Sequence, residues 1–228
     1  LALGAMGAHG ARDLRRLRGA DAFRRLAAAA ARLGRATVAS HPVAHALLRT
    51  FKGAVVAPSA NRSGHVSPTA AAHVLADLRG RIDLIIDGGP CKVGVESTIV
   101  SCIGRPVLLR PGGISRDAIE RILGSALSTG PAAEDTPISP GMLTSHYAPK
   151  APLRLDADAA EAGEALLAFG PSPSFSGAML NLSPRGNLLE AAANLFSHLR
   201  ALDASGARRI AVMKVPHNGL GEAINDRL

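Results

Sequence analysis

Tryptophan is absent from this sequence, tyrosine occurs once, and aromatic residues make up only 3% of it. A core must therefore be built from Ala, Leu, Val and Ile. The stacked aromatic platforms that grip single-stranded nucleic acid are scarce. Only two cysteines occur, Cys91 and Cys102, too far apart for a CxxC redox or zinc motif. Reduced, packed thiols are the default reading, which fits a cytosolic protein. No apolar run reaches membrane-spanning length, and no charged-then-apolar signal peptide opens the chain. There is no Gly-Lys-Ser/Thr of a Walker A loop and no HExxH.

What is present suits a globular protein. Of 228 residues, 47% are apolar, and the length allows one large domain or two small ones. The net charge is +8, and Arg is concentrated in "ARDLRRLRGADAFRRL" against two Asp. A solvated face and an anionic partner, nucleotide or RNA, both account for it.

Along the chain, helix formers dominate from Ala11 to Leu33. Ser40 is placed to cap a helix beginning near Pro42, with Val43, Leu47 and Leu48 on its buried face. "GAVVA" (53–57) reads as a short buried strand. Ser67-Pro68 reads as N-cap and first residue of a helix running to about Leu78. "IDLIID" (82–87) reads as a strand, closed by Gly88-Gly89-Pro90. "STIVSC" and "PVLLR" form a hairpin around Gly104, and a helix capped by Ser115 follows. Residues 125–150, rich in Pro, Ser, Thr and Gly, read as a linker. Beyond it, "PLRLDA", "EALLAF", "GAMLNL" and "RRIAVMKV" read as strands. "NLLEAAANLFSHLRALDASG" reads as an amphipathic helix with a Gly stop, so the tail is a second, small α/β unit.

Four places carry candidate chemistry. "APSANRSGHVSPT" gathers Ser59, Asn61 and Ser67 with free backbone N–H groups ahead of a helix start. Such a loop can bind phosphate or carboxylate oxygens, and it can equally be a turn rich in capping residues. "GVESTIV" places Ser97 and Thr98 at a strand start, with Glu96 able to hold Mg²⁺ or a substrate amine or to sit on the surface. Arg110 ends a strand before a double glycine, where it can grip a phosphate or face solvent. His41 and His45 have helical metal spacing without a third ligand, so packing is the better reading. Tyr147, in the polar "SHYAP", can pack or can fold onto a site as a flap.

Taken together, "HPVAHALL", "APSANRSGHVSPT", "DLIIDGGPCKVGVESTIV", "VLLRPGGI", "SPGM" with "HYAP", and "VPHNGLGEAINDRL" resemble the Sua5 branch of the Sua5/YciO/YrdC family of L-threonylcarbamoyladenylate synthases. The likeness runs from about residue 40 to 228, in family order. It implies an α/β fold: part of a YrdC-like twisted-sheet domain (40–124), the linker (125–150) and a small Rossmann-like C-terminal domain (151–228). Residues 1–39 do not share it. The resemblance implies that L-threonine, bicarbonate and ATP, with Mg²⁺, give threonylcarbamoyl-AMP and pyrophosphate. A t6A-transferring enzyme complex then acts on tRNA in the cytoplasm. It implies ATP contacts from Ser59, Ser67, Arg110 and Tyr147, with Asn61 shaping the loop, and threonine contacts from Ala57, Ser97 and Thr98. Catalysis would rest on positioning and charge stabilisation rather than on a side-chain nucleophile.

The family's upstream Lys/Arg-rich "K-x-R" stretch, its early Thr and its "WPGP-T" segment are not matched, and "ATVA" (36–39) stands where "R-V-P" is usual. The chain opens at Leu1 rather than Met. These features lead to the expectation of an out-of-frame, GC-rich start joined to a genuine remainder. Such a chain would be weakly active or inactive for want of its phosphate clamp. An RNA- or nucleotide-binding module and an inactive remnant are the competing readings.

Overall fold

The computed structural model describes residues 41–51, 59–62, 64–101, 105–129, 149–172 and 174–228. The expected helix over 11–33, the strand at 53–57, the Gly104 turn, Ser40, Ala57, Cys102 and Tyr147 lie outside the described residues.

In order, the elements are α1 (Pro42–Phe51), α2 (Ala71–Leu78), β1 (Ile99–Ser101), β2 (Val107–Arg110), α3 (Arg116–Leu123), β3 (Ser128–Thr129), β4 (Leu153–Arg154), β5 (Glu164–Ala168), β6 (Met179–Asn181), α4 (Leu188–Asp203), β7 (Arg209–Val212) and α5 (Leu220–Asn225). They form two sheets. β1, β2 and β3 make one, with β1 antiparallel and β3 parallel to β2. The other is fully parallel, in the order β4-β7-β5-β6.

The core sits on the parallel sheet. All five residues of β5, Glu-Ala-Leu-Leu-Ala, are buried, as a strand covered on both faces requires. Successive side chains divide between the faces. Ala165 and Leu167 join the main cluster, and Leu166 and Ala168 join a smaller one with Ala157 and Ala211. α4 returns the chain from β6 to β7. Asn187 caps it, its side chain accepting the N–H groups of Leu189 at 2.9 Å and Glu190 at 3.0 Å. The helix buries Ala191, Ala192, Leu195, Phe196, Leu199 and Leu202 on one face at helical spacing. Val66 and Val95, from far upstream, enter this same cluster. The loops before the first sheet are therefore packed into the core of the second unit.

The hairpin, the Ser115-capped α3 and the α/β tail agree with the sequence. Ser115 Oγ accepts the Ala118 N–H, and Gly124 ends the helix with φ +67°. Three expectations are corrected. Ser67 does not cap α2, which begins at Ala71 behind Ala70, because the Ser67 hydroxyl is bonded elsewhere. Residues 82–87 make no ladder: Ile82, Leu84 and Ile86 are 38%, 77% and 50% exposed. Strand composition forms a strand only beside a partner, and none lies there among the described residues. In α1 the buried residue is Ala44 and not Leu47, which is 42% exposed. The linker's first residues include β3, with Leu127 buried beside it.

Candidate functional site

The polar loop after residue 58 is fastened from within and from below. Asn61 Nδ2 donates to the carbonyls of Arg62 (3.0 Å) and His65 (2.8 Å), which closes the turn at Gly64. Ser59 is exposed at the loop's start. Ser67, only 8% exposed, donates its hydroxyl to Glu96 Oε1 at 2.7 Å. The other carboxylate oxygen, Oε2, accepts from Arg227 Nε at 2.9 Å. Arg227 also donates from Nη2 to the Pro111 carbonyl and from Nη1 to Asp226, and its side chain is wholly buried.

Arg200, on α4, reaches the same loop. It forks onto Asp77 (Nη2–Oδ2 2.7 Å, Nη1–Oδ1 3.3 Å) and donates to the carbonyl of Val66. Its Nε lies 3.5 Å from the Ser67 carbonyl. Burial alone would raise the Asp77 carboxyl, but hydrogen bonding to Arg200 and its charge hold it below the usual range. Asp226 is pushed up by burial, against the opposing charges of Arg227 and Arg110.

The second segment, Glu96-Ser97-Thr98, leads into β1. Arg110 is 3% exposed and gives its Nε and Nη2 to the Ser97 carbonyl at 3.2 and 2.8 Å. The Thr98 hydroxyl donates to the Ile114 carbonyl (2.5 Å) and accepts the Ile114 N–H (3.0 Å). Ser97 is exposed and its hydroxyl takes no part in these bonds. Gly112 lies flat on this segment. A Cβ there would fall 2.4 Å from both the Glu96 carbonyl oxygen and the Thr98 nitrogen.

The structure thus gathers Ser67, Ser97, Thr98 and Arg110 around Glu96. Within that group Ser97 is exposed, while the Thr98 hydroxyl and the Arg110 guanidinium are bonded to backbone. His41 packs its ring against Gly88, where a Cβ would lie 2.8 Å from Cε1. His45 is exposed. No group of three His, Cys, Asp or Glu that could hold a metal exists among the described residues. Glu96, the carboxylate first considered for Mg²⁺, has both oxygens committed. A groove of about 500 Å³ bounded by residues 160–164, 175–178 and 205–207 contains none of the expected site residues. The residues that sequence reasoning missed are Asp77, Arg200 and Arg227. The motif "VPHNGLGEAINDRL" contains Arg227, but nothing in its spacing says that it reaches Glu96, 131 positions away.

The fold and site define an α/β protein in which a small parallel-sheet unit buries and braces two polar loops. A family model described as "Threonylcarbamoyl-AMP synthase, C-terminal domain" matches residues 114–228. Another, described as "Telomere recombination" and covering the Sua5/YciO/YrdC proteins, matches residues 23–112, so its match starts upstream of Ser40. The chain belongs to the threonylcarbamoyl-AMP synthase family.

It is 39% identical to the threonylcarbamoyl-AMP synthase of Bacillus subtilis in an alignment 206 positions long that covers 82% of this chain and 60% of that protein. It is 36% identical to that of Pyrococcus abyssi, over 83% of this chain and 61% of the relative. The chain therefore spans about 60% of the length of these curated relatives. A crystal structure of P. abyssi Sua5 complexed with L-threonine aligns with a TM-score of 0.73 at 36% identity, over 83% of this chain and 61% of that one. A variant of the same protein, with a His and the following Tyr replaced by Ala, aligns with a TM-score of 0.72 at 34% identity, over 82% of this chain and 59% of that one.

Proposed function

We propose that this chain acts as a threonylcarbamoyl-AMP synthase, joining L-threonine, bicarbonate and ATP into threonylcarbamoyl-AMP with release of pyrophosphate. The supporting observation is the cluster around Glu96. It presents the Ser97 hydroxyl beside a buried, charge-balanced platform, in a chain similar along most of its length to a Sua5 solved with L-threonine. Ser97 is the residue for the threonine, with Ala57 and Thr98 shaping the pocket. Arg110 steadies the Ser97 carbonyl and is the arginine for the nucleotide phosphates. Ser59, exposed at the loop entrance, and Ser67 belong to the nucleotide side, with Asn61 holding the turn. Tyr147 follows His146 in this sequence, an adjacent pair of the kind replaced in the P. abyssi variant, and is proposed to close over the nucleotide.

Mg²⁺ fits as a companion of the ATP phosphates rather than as an ion held by Asp77 or Glu96, which are taken up by Arg200 and Arg227. The division into a catalytic part (40–124), a linker (125–150) and a tail (151–228) is likewise proposed. No described helix is long and apolar enough to cross a membrane, and a cytoplasmic setting is proposed with delivery to a t6A-transferring complex on tRNA. The net charge of +8 supports a second reading, RNA binding by the same molecule, which would weaken steeply with salt.

The test is ATP-to-pyrophosphate turnover by the purified chain, with L-threonine and bicarbonate each omitted in turn. Turnover that needs both supports the synthase. A chain that neither turns over nor binds L-threonine or ATP overturns it. Ser97→Ala should raise the KM for L-threonine about tenfold, the loss of one hydrogen bond to a charged group.

A further inference from the structure

We propose that Arg227 and Arg200 are positioning residues that hold Ser67 and Ser97 toward one ligand space, so that the second unit is a working part of the site. The inference rests on the reading of that site given above, which it deepens.

Residues 64–70 and 91–98 contain no helix or strand. Nothing in their own backbone pattern fixes where their side chains point, so contacts from outside must do so. Some come from the first unit, where Arg110 holds the Ser97 carbonyl and Ile114 engages the Thr98 hydroxyl, and others come from α4 and from the residues following α5. Arg227 holds Glu96 by one oxygen while Ser67 holds it by the other, and the same guanidinium bonds the Pro111 carbonyl. One cation therefore sets the spacing between the two polar loops and the turn leading to Gly112.

Arg200 fixes the other side of the first loop through the Val66 carbonyl and Asp77. Arg62 adds to this clamp, its Nε donating to the Asp77 carbonyl at 3.2 Å. Gly94 presses directly on α4, where a Cβ would fall 2.1 Å from the Ala192 carbonyl oxygen. Val66 and Val95, each one residue ahead of Ser67 and Glu96, are buried in the cluster of Leu195 and Ile224. Apolar anchor and ionic clamp thus alternate along both loops.

Both guanidinium groups act from beneath: the Arg227 side chain is wholly buried and that of Arg200 is 17% exposed. They bond Glu96, Asp77 and the carbonyls of Pro111 and Val66, the supports on which the two loops rest. A third arginine provides the contrast. Arg116 bridges to Glu222 at 2.6 Å, with side chains 23% and 28% exposed, and contacts neither loop.

The experiment uses the full chain with Arg227→Ala, Arg227→Lys and Arg200→Met, and Arg116→Gln as the control. Glu96→Gln, which keeps the side-chain shape, replaces Arg227→Ala if that variant does not fold. Three quantities are measured: L-threonine binding by calorimetry, KM and kcat for pyrophosphate release, and hydrogen exchange resolved by peptide. The Arg227→Ala and Arg200→Met variants should lose protection in peptides covering 64–70 and 94–98. They should bind L-threonine about tenfold more weakly, with KM raised and kcat changed less than about twofold. Arg227→Lys should recover part of the loss, and Arg116→Gln should alter neither binding nor exchange in the two loops.

Unchanged exchange and binding in both arginine variants overturn the proposal, as does an equal effect from Arg116→Gln. If the parent chain neither binds L-threonine nor releases pyrophosphate, the functional reading fails by itself. The exchange pattern then decides the positioning claim: lost protection in the two loops upholds it and retained protection overturns it.

Discussion

Replacing Gly94 by Ala puts the smallest possible side chain where the structure leaves no room. The new methyl would lie 2.1 Å from the carbonyl oxygen of Ala192 and 2.8 Å from that of Ala193. Reaching an ordinary contact of about 3.4 Å needs a shift of about 1.3 Å. The helix cannot supply it, because Ala191, Ala192, Leu195 and Phe196 lock α4 onto the sheet with no exposure at all. The loop must move, and Glu96 is two residues away. Its bonds to Ser67 and Arg227, at 2.7 and 2.9 Å, would stretch past useful hydrogen-bonding distance. Overpacking costs about 1–3 kcal/mol, and weakening a charge-assisted bond adds about 1.5 kcal/mol or more, so the expected loss is about 3 kcal/mol. In urea unfolding this should lower the midpoint by about 1 M, for a slope of about 3 kcal/mol/M. Hydrogen exchange should rise in peptides covering 94–98. A midpoint within about 0.2 M of the parent, with exchange unchanged there, would refute the close approach of this loop to α4.

Other outcomes follow from the same geometry. Glu164 is held at a pKa of about 2, chiefly by its hydrogen bond from Arg154 and further by the Glu161 N–H and the charges of Arg154 and Arg209. Its folded value is depressed, so its contribution is complete above the ordinary value of 4.5 and fades as pH falls from there toward about 2. Glu164→Gln should be less stable than the parent at neutral pH, with the gap closing across that window in urea midpoints taken at several pH values. Phe196→Ala, at a site with no exposure, should cost about 3–5 kcal/mol in the same assay. Arg200→Met should cost about 3–5 kcal/mol because it leaves the buried Asp77 carboxylate unpaired, whereas Arg200→Met with Asp77→Leu should cost clearly less. Equal losses in the single and double variants would show that the pair is not coupled.

Much of the fold was legible from local pattern. The hairpin of β1 and β2, the cap at Ser115 and the strands and long helix of the tail each declare themselves within a dozen residues, because caps, turns and side-chain periodicity are short-range physics. The misreadings share one cause. Ser67-Pro68 has the local chemistry of a helix start, but Glu96 claims the hydroxyl, and α2 begins later. Residues 82–87 have strand composition, but a strand is a property of a pair. Ser97 and Thr98 look interchangeable in sequence, and only the backbone of Ile114, lying against Thr98, separates the exposed hydroxyl from the engaged one.

By itself the sequence determined the α/β class, the order of elements in the tail and the family resemblance carried by its polar motifs. Tertiary structure alone decided that Arg200 and Arg227 lie beneath the polar loops, and that Val66 and Val95 belong to the core of the second unit. The reason is distance along the chain. Arg227 meets Glu96 across 131 positions and Arg200 meets Asp77 across 123, and no periodicity or spacing rule spans such separations. They are brought together when α4 and α5 bury their apolar faces, which fixes where each guanidinium comes to rest.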